Sequence, residues 1–245
     1  MENVVSGFLL LVIGWILYDE FKEIPALAAI DKGGRLCDYS CGGSTFEPVS
    51  AALARGMRLI EVHVYSDEQD QPVVALHQEN AGVDHAYDNV SFESVCVTLV
   101  NEAFPSDVPL ILSIVPHTST TFTLNRIAYH LSTTLHKHFA KDVTEETLLG
   151  ALANKIVIVS GPEVRGSNLE ELVNLNWGSS SLRRLEYQQA AYPRDPAELM
   201  AFNKDHISMV APSDMYKTVA AVKDLYGCQW NLISGTAGFL PTKGT

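Results

Sequence analysis

Basic residues are scarce in this chain. Lys and Arg total 17 against 29 Asp and Glu, so the net charge is −12 and the pI is near 5.0. That balance disfavours a nucleic-acid partner and an anionic-lipid surface binder. Cysteine is sparse too, and four in 245 residues exclude a disulfide-built scaffold. No Gly-rich phosphate loop opens a helix after the first strand, and no G-x-S-x-G surrounds Ser113, Ser160 or Ser234. Dinucleotide binding and serine hydrolysis therefore lack their signatures. No linker, low-complexity run or repeat divides the chain. With 47% hydrophobic and only 19% charged residues, intrinsic disorder is excluded. Only one apolar run approaches spanning length, which excludes a polytopic membrane protein.

That run is Val4–Tyr18, VVSGFLLLVIGWILY, without a charge. As a helix it covers roughly 22 Å at about 1.5 Å per residue. The hydrocarbon core is about 30 Å thick, and Trp15, Tyr18 and local bilayer thinning offer a way to bridge the difference. We read residues 1–24 as an uncleaved, single-pass membrane anchor that contacts lipid through residues 4–18. A signal peptide cut near Ala26-Leu27-Ala28 is an alternative, although a basic n-region is missing and Asp19–Glu23 is charged. A helix buried in a partner or in the core is another. Flanking Lys and Arg are too few to set an orientation.

Pro25 ends the run, and residues 25–245 read as one domain. Phe46–Arg55 reads as a helix with Pro48 early, where proline is tolerated. Leu59–Tyr65 is a strand whose alternation sets Glu61 and His63 on one face with Leu59 and Tyr65. Pro72–His77 is the next strand. Ser91–Ala103 is a helix capped by Ser91. Pro109–Val115 is a buried strand, Thr123–Phe139 a helix and Lys155–Ser160 a strand. Further on, Glu198–Asp205 and Ser213–Leu225 read as helical, and His206–Val210 and Gln229–Ile233 as extended. Such α/β alternation implies a parallel sheet covered by helices, best met by a TIM-type (β/α) barrel, with an open doubly wound sheet as the alternative. In a barrel the chemistry sits at the C-terminal strand ends, which points to Glu61, His63, His77, Val115 and Ser160.

Several segments resemble phosphoinositide-specific phospholipase C. Ala51–Val64, Gln71–His77 and Val108–Ile114 resemble its X region, A-L-x-R-G-C-R-x-V-E-L-D-x-W, P-V-V-Y-H-G-H and P-V-I-L-S-L-E. Leu36–Tyr39, Gly42–Ser44 and Asn154–Val159 fit the same pattern. Glu171–Val173, Leu199–Pro212 and Gly227–Gln229 followed by Leu232 resemble the Y region, with no room for a linker between the halves. The resemblance implies a PLC-like phosphodiesterase barrel. Glycerophosphodiester phosphodiesterases share its E-x-D…H pattern, but the second half favours the phospholipase relative.

The family reaction, attack of an inositol hydroxyl on the adjacent phosphorus, takes a Ca²⁺ ion, two histidines and a basic clamp. The resemblance implies that this chain has lost most of these. The loop carrying the first histidine reads as deleted, because Cys37–Gly43 runs straight from LCDY to GGS. The E-x-D pair becomes Glu61-x-His63, and an imidazole suits Ca²⁺ poorly. The glutamate after L-S-L becomes Val115, so of the expected metal oxygens Glu61 alone survives. His77 lies within one residue of the second histidine. The basic clamp becomes Val159, Pro162 and Met209. We therefore expect no catalytic residue beyond the vestigial Glu61, His63 and His77, no cofactor, and no calcium site.

Other groupings have plain readings. Glu61, His63 and His77 form a leftover polar cluster or a transition-metal site. His130, His136 and His138 read as a polar helix end. Cys37 and Cys41 are either a disulfide or small buried residues, and Cys96 and Cys228 are core. Arg183-Arg184 reads as a solvated turn or a dock for an acidic partner. Together these expectations describe a membrane-anchored, catalytically inactive phospholipase C-like barrel, a structural or interaction subunit among protein partners in a membrane-associated assembly, in an organelle or a virion. A residual phosphodiesterase and a non-catalytic headgroup binder are the alternatives.

Overall fold

The computed structural model describes residues 33–75, 89–104, 107–213, 221–233 and 237–242. The anchor at residues 4–18 and His77 lie outside them. Among the described residues no helix is long and apolar enough to cross a membrane.

The apolar runs form the strands expected of them. β1 is Tyr39–Thr45, β2 Leu59–Ser66, β3 Pro72–Ala75 and β4 Asn89–Ser91. They are followed by β5 Leu110–Pro116, β6 Ile156–Ser160, β7 Leu175–Asn176 and β8 Leu182–Glu186. β9 Ile207–Ala211, β10 Trp230–Asn231 and β11 Phe239–Pro241 complete the set. The helices are α1 Val49–Ala54, α2 Phe92–Glu102, α3 Thr121–Leu135, α4 Tyr187–Ala191 and α5 Pro196–Phe202. Eight strands pair in parallel in the order β7-β6-β5-β2-β1-β10-β9-β8. This is a nearly closed barrel, and the doubly wound alternative is set aside.

The differences from expectation have local causes. Only Asp67–Gln71 separates β2 from β3, too little for a parallel crossover. The Asp67 carboxylate accepts from the amides of Gln69 and Gln71 at 2.9 and 2.7 Å, and β3 folds back antiparallel on β2. Pro72–Ala75 is thus an appendage rather than a barrel strand. Leu36–Asp38 makes a single turn, and β1 follows as the first barrel strand. Gly43 lets β1 approach β2, since a Cβ there would lie 2.5 Å from the Leu59 carbonyl oxygen. Arg183-Arg184, read as a solvated turn or a dock, lies on β8, the last strand on its edge of the sheet. α3 stops at Leu135, and a short turn covers His136–His138. Ser91 caps α2 as expected, its hydroxyl accepting from the Ser94 amide at 3.1 Å. Of Ser213–Leu225, the described part of the expected helix is a single turn at Ala221–Leu225.

Alternation along each strand divides the core in two. Ile60, Val62, Leu112, Ile114 and Ile158 face α2 and α3. Leu59, Ile111, Val157, Leu182, Met209 and Trp230 fill the barrel interior. The second half is fixed by a buried polar clamp. Gln229 donates to the carbonyls of Asn203 and His206 at 2.7 and 2.8 Å and accepts from the Ser208 amide at 3.0 Å. Ser208 donates to the Asn203 side chain at 2.6 Å. The N-K-x-x-I-S and G-C-Q segments thus serve architecture.

Candidate functional site

The C-terminal strand ends gather a polar cluster inside an otherwise apolar barrel. Glu61 of β2 has a fully buried side chain. Its Oε1 accepts from Arg184 Nη2 at 2.9 Å and from His63 Nε2 at 3.2 Å. Its Oε2 accepts from Ser113 Oγ at 3.0 Å and from Arg184 Nε at 3.2 Å. Burial alone would raise this carboxyl. The hydrogen bond from His63 and the charge of Arg184 outweigh it and hold the group well below the usual range. Burial works against the Arg184 charge too, but Glu61 and then Glu186 keep that guanidinium charged.

Two imidazoles continue the cluster to the rim. His63 Nε2 also meets Thr45 Oγ1 at 3.1 Å, and His63 Nδ1 lies 2.8 Å from His117 Nε2. With Glu61 ionised, the His63 proton belongs on Nε2, so its Nδ1 accepts from His117 Nε2–H. Phe46 stacks on His63 at 3.9 Å and Tyr65 on His117 at 4.4 Å, which fixes both rings. Burial above all, with the Arg184 charge nearby, lowers the His117 pKa to about 4, so that ring is neutral at pH 7.

The alternation of β2 thus brings Glu61 and His63 together as expected, and His77 lies outside the described residues. Val115 sits beside His63 in register, as an apolar rim residue. Ser160 Oγ donates to the Ile114 carbonyl at 2.8 Å, a structural bond. Val159 and Met209 are fully buried in the barrel interior. β1 ends at Thr45, and Phe46 and Glu47 follow it. The Phe46 ring, stacked on His63, occupies the mouth at that strand end.

Sequence reasoning missed His117 and Arg184. His117 follows Pro116 just past the strand, where the barrel rule points. Arg184 carried no such signal, since its partner is 123 positions away. Neither arginine of the pair is free for an acidic partner. Arg183 grips Glu198 at 2.7 and 3.0 Å and lies 3.8 Å over the Phe202 ring. Cys37 and Cys41 are free buried thiols, not a disulfide. His138 bonds the Asn154 carbonyl at 3.0 Å and stacks on Phe104.

The donor set does not fit calcium. That ion takes about six to eight oxygen ligands. Here both oxygens of the single carboxylate are engaged, and its neighbours are a guanidinium and an imidazole. Among the described residues no group of three or more His, Cys, Asp or Glu is placed to hold a metal.

Comparisons with known proteins agree with this architecture. The chain superposes on PLC21 of S. officinalis with a TM-score of 0.71 at 15% identity, covering 87% of this chain and 38% of that one. PLC21 of L. pealei gives 0.68 at 14%, covering 85% and 34%. This chain therefore spans little more than a third of those proteins. A calcium-dependent phosphoinositol-specific phospholipase C of Pseudomonas sp. gives 0.59 at 11% identity, covering 89% of this chain and 99% of that one. At such identities the likeness is one of fold. The family model for the phosphatidylinositol-specific phospholipase C X domain matches residues 36–161, just over half of the sequence. The chain belongs to the phosphatidylinositol-specific phospholipase C X-domain family.

Proposed function

We propose that this phospholipase C-like barrel does not carry out calcium-dependent phosphoinositide cleavage. In this reading it serves as a structural or interaction subunit of a membrane-associated assembly. One observation carries the reading: Glu61, the carboxylate left from the family's metal site, has both oxygens taken by Arg184, His63 and Ser113. Two further features support it. Positions that the relatives use to hold phosphate are Val159 and Met209, buried and apolar. Arg184, the cation inside the mouth, is already neutralised by Glu61 and by Glu186 at 3.4 Å. Removing a metal site and a basic clamp together costs orders of magnitude in rate.

The test is release of inositol phosphate from phosphatidylinositol vesicles by the full chain, with calcium and with chelator. We expect background release in both. Calcium-stimulated turnover would overturn the reading. A metal-free phosphodiesterase is a second reading, favoured by the Glu61–His63–His117 chain of hydrogen bonds. Its mark is turnover indifferent to chelator and lost in His117→Ala.

The attachment to membrane rests on the uncharged run of residues 4–18. Carbonate extraction of the full chain should leave it in the pellet and release a chain starting at Ala26. Equal release of both would remove the anchor from the proposal.

A further inference from the structure

A closed barrel pairs every strand on both edges. Here β7 and β8 end the strand order, and among the described residues no ladder joins them. The seam between them lies beside the polar cluster. Arg184 starts on β8, and its guanidinium lies 5.7 Å from the ring of Trp177, the residue after β7. The same group bonds both oxygens of Glu61 on β2. β2 connects through β5 and β6 to β7. One side chain on β8 therefore reaches Trp177 across the gap and Glu61 across the barrel interior. Gly161, just after β6, leaves room for Trp177, since a Cβ there would lie 2.5 Å from its indole nitrogen.

Exposed ion pairs contribute little. This pair is different, because the Glu61 side chain is fully buried and that of Arg184 is 18% exposed. A buried carboxylate left without a counter-charge is strongly destabilising. In a metal-dependent barrel an ion can meet that need. A guanidinium meets it permanently, since it does not lose its proton and no chelator removes it. Its planar fork also matches the carboxylate geometry.

We propose that Arg184 is a built-in cation that takes the place of a divalent metal beside Glu61 and, through Trp177, clasps the seam between β7 and β8. This goes beyond the functional reading and stands apart from any turnover assay.

The full chain is compared by thermal unfolding in calcium and in chelator, with tryptophan quenching by acrylamide as a second readout. Wild type should show the same Tm in both. Arg184→Met should lower Tm by several degrees and expose Trp177 to quencher, an increase that is absent when Trp177→Phe is added. Calcium should not restore the lost Tm, because one carboxylate beside an imidazole offers that ion too few oxygen ligands. Should Arg184→Met fail to fold, Arg184→Lys keeps the charge without the fork and should give smaller shifts of the same sign. The double variant Glu61→Gln/Arg184→Met should be less destabilised than the sum of its single changes. A calcium-dependent Tm in wild type, unchanged quenching in both Arg184 variants, or simple additivity would each overturn the clasp.

Discussion

Single residues decide how this barrel responds to acid. The neutral His117 is pushed down to about 4 from a usual value near 6.5. An unfolded chain therefore binds a proton there that the fold resists, and stability falls as pH drops from about 6.5 to 4. Glu61 is held near 2 against a usual 4.5, so its contribution is complete above about 4.5 and is lost as pH falls towards 2. Both terms have the same sign. We expect Tm to decline below pH 6.5 and to fall again below 4.5. Replacing His117 by Phe, which keeps a ring against Tyr65, should flatten the first limb alone; an unaltered Tm–pH curve would contradict it. A different cost belongs to Gln229. Its change to Leu strands two carbonyls and one amide in the core, at about 1–3 kcal/mol for each group left unpaired. Urea unfolding should show the midpoint moving down by the corresponding amount, with little change in slope.

At the level of elements, legibility followed local pattern. β2, β5, β6 and β9 are apolar runs, and their sequence announces them. β8 carries Arg183, Arg184 and Glu186 in five residues, so it looks like a surface turn. Its charges are satisfied by Glu61 on β2 and Glu198 on α5, and no local window contains the former. β1 was hidden by Gly42 and Gly43, of which Gly43 allows the close approach to β2. Of the candidate site, the Glu61 and His63 pair was visible through period-two alternation. His117 was two residues past an expected strand end, and Arg184 was invisible in principle without the fold. The cap of α2 was legible because its chemistry is local. Ser91→Ala should cost about 1 kcal/mol, read as a loss in unfolding free energy, whereas Ser91→Asp should recover most of it.

The molecule as a whole joins an acidic exterior to an apolar barrel interior with one polar layer at its mouth. Net charge −12 and the absence of an unpaired cation in that layer, among the described residues, act together against an anionic headgroup. Parallel strands buried on both faces account for part of the positive mean hydropathy of +0.07, beside the run at residues 4–18. The clamp of Asn203, Ser208 and Gln229 carries a wider consequence. Those side chains hold strand ends and turns in place, and none of them touches the polar layer. A motif kept by such bonds reports shape alone. Chains recruited by their N-K-x-x-I-S and G-C-Q segments will therefore share this barrel whatever their chemistry, and only the side chains at the strand mouths can sort those that cleave a substrate from those that do not.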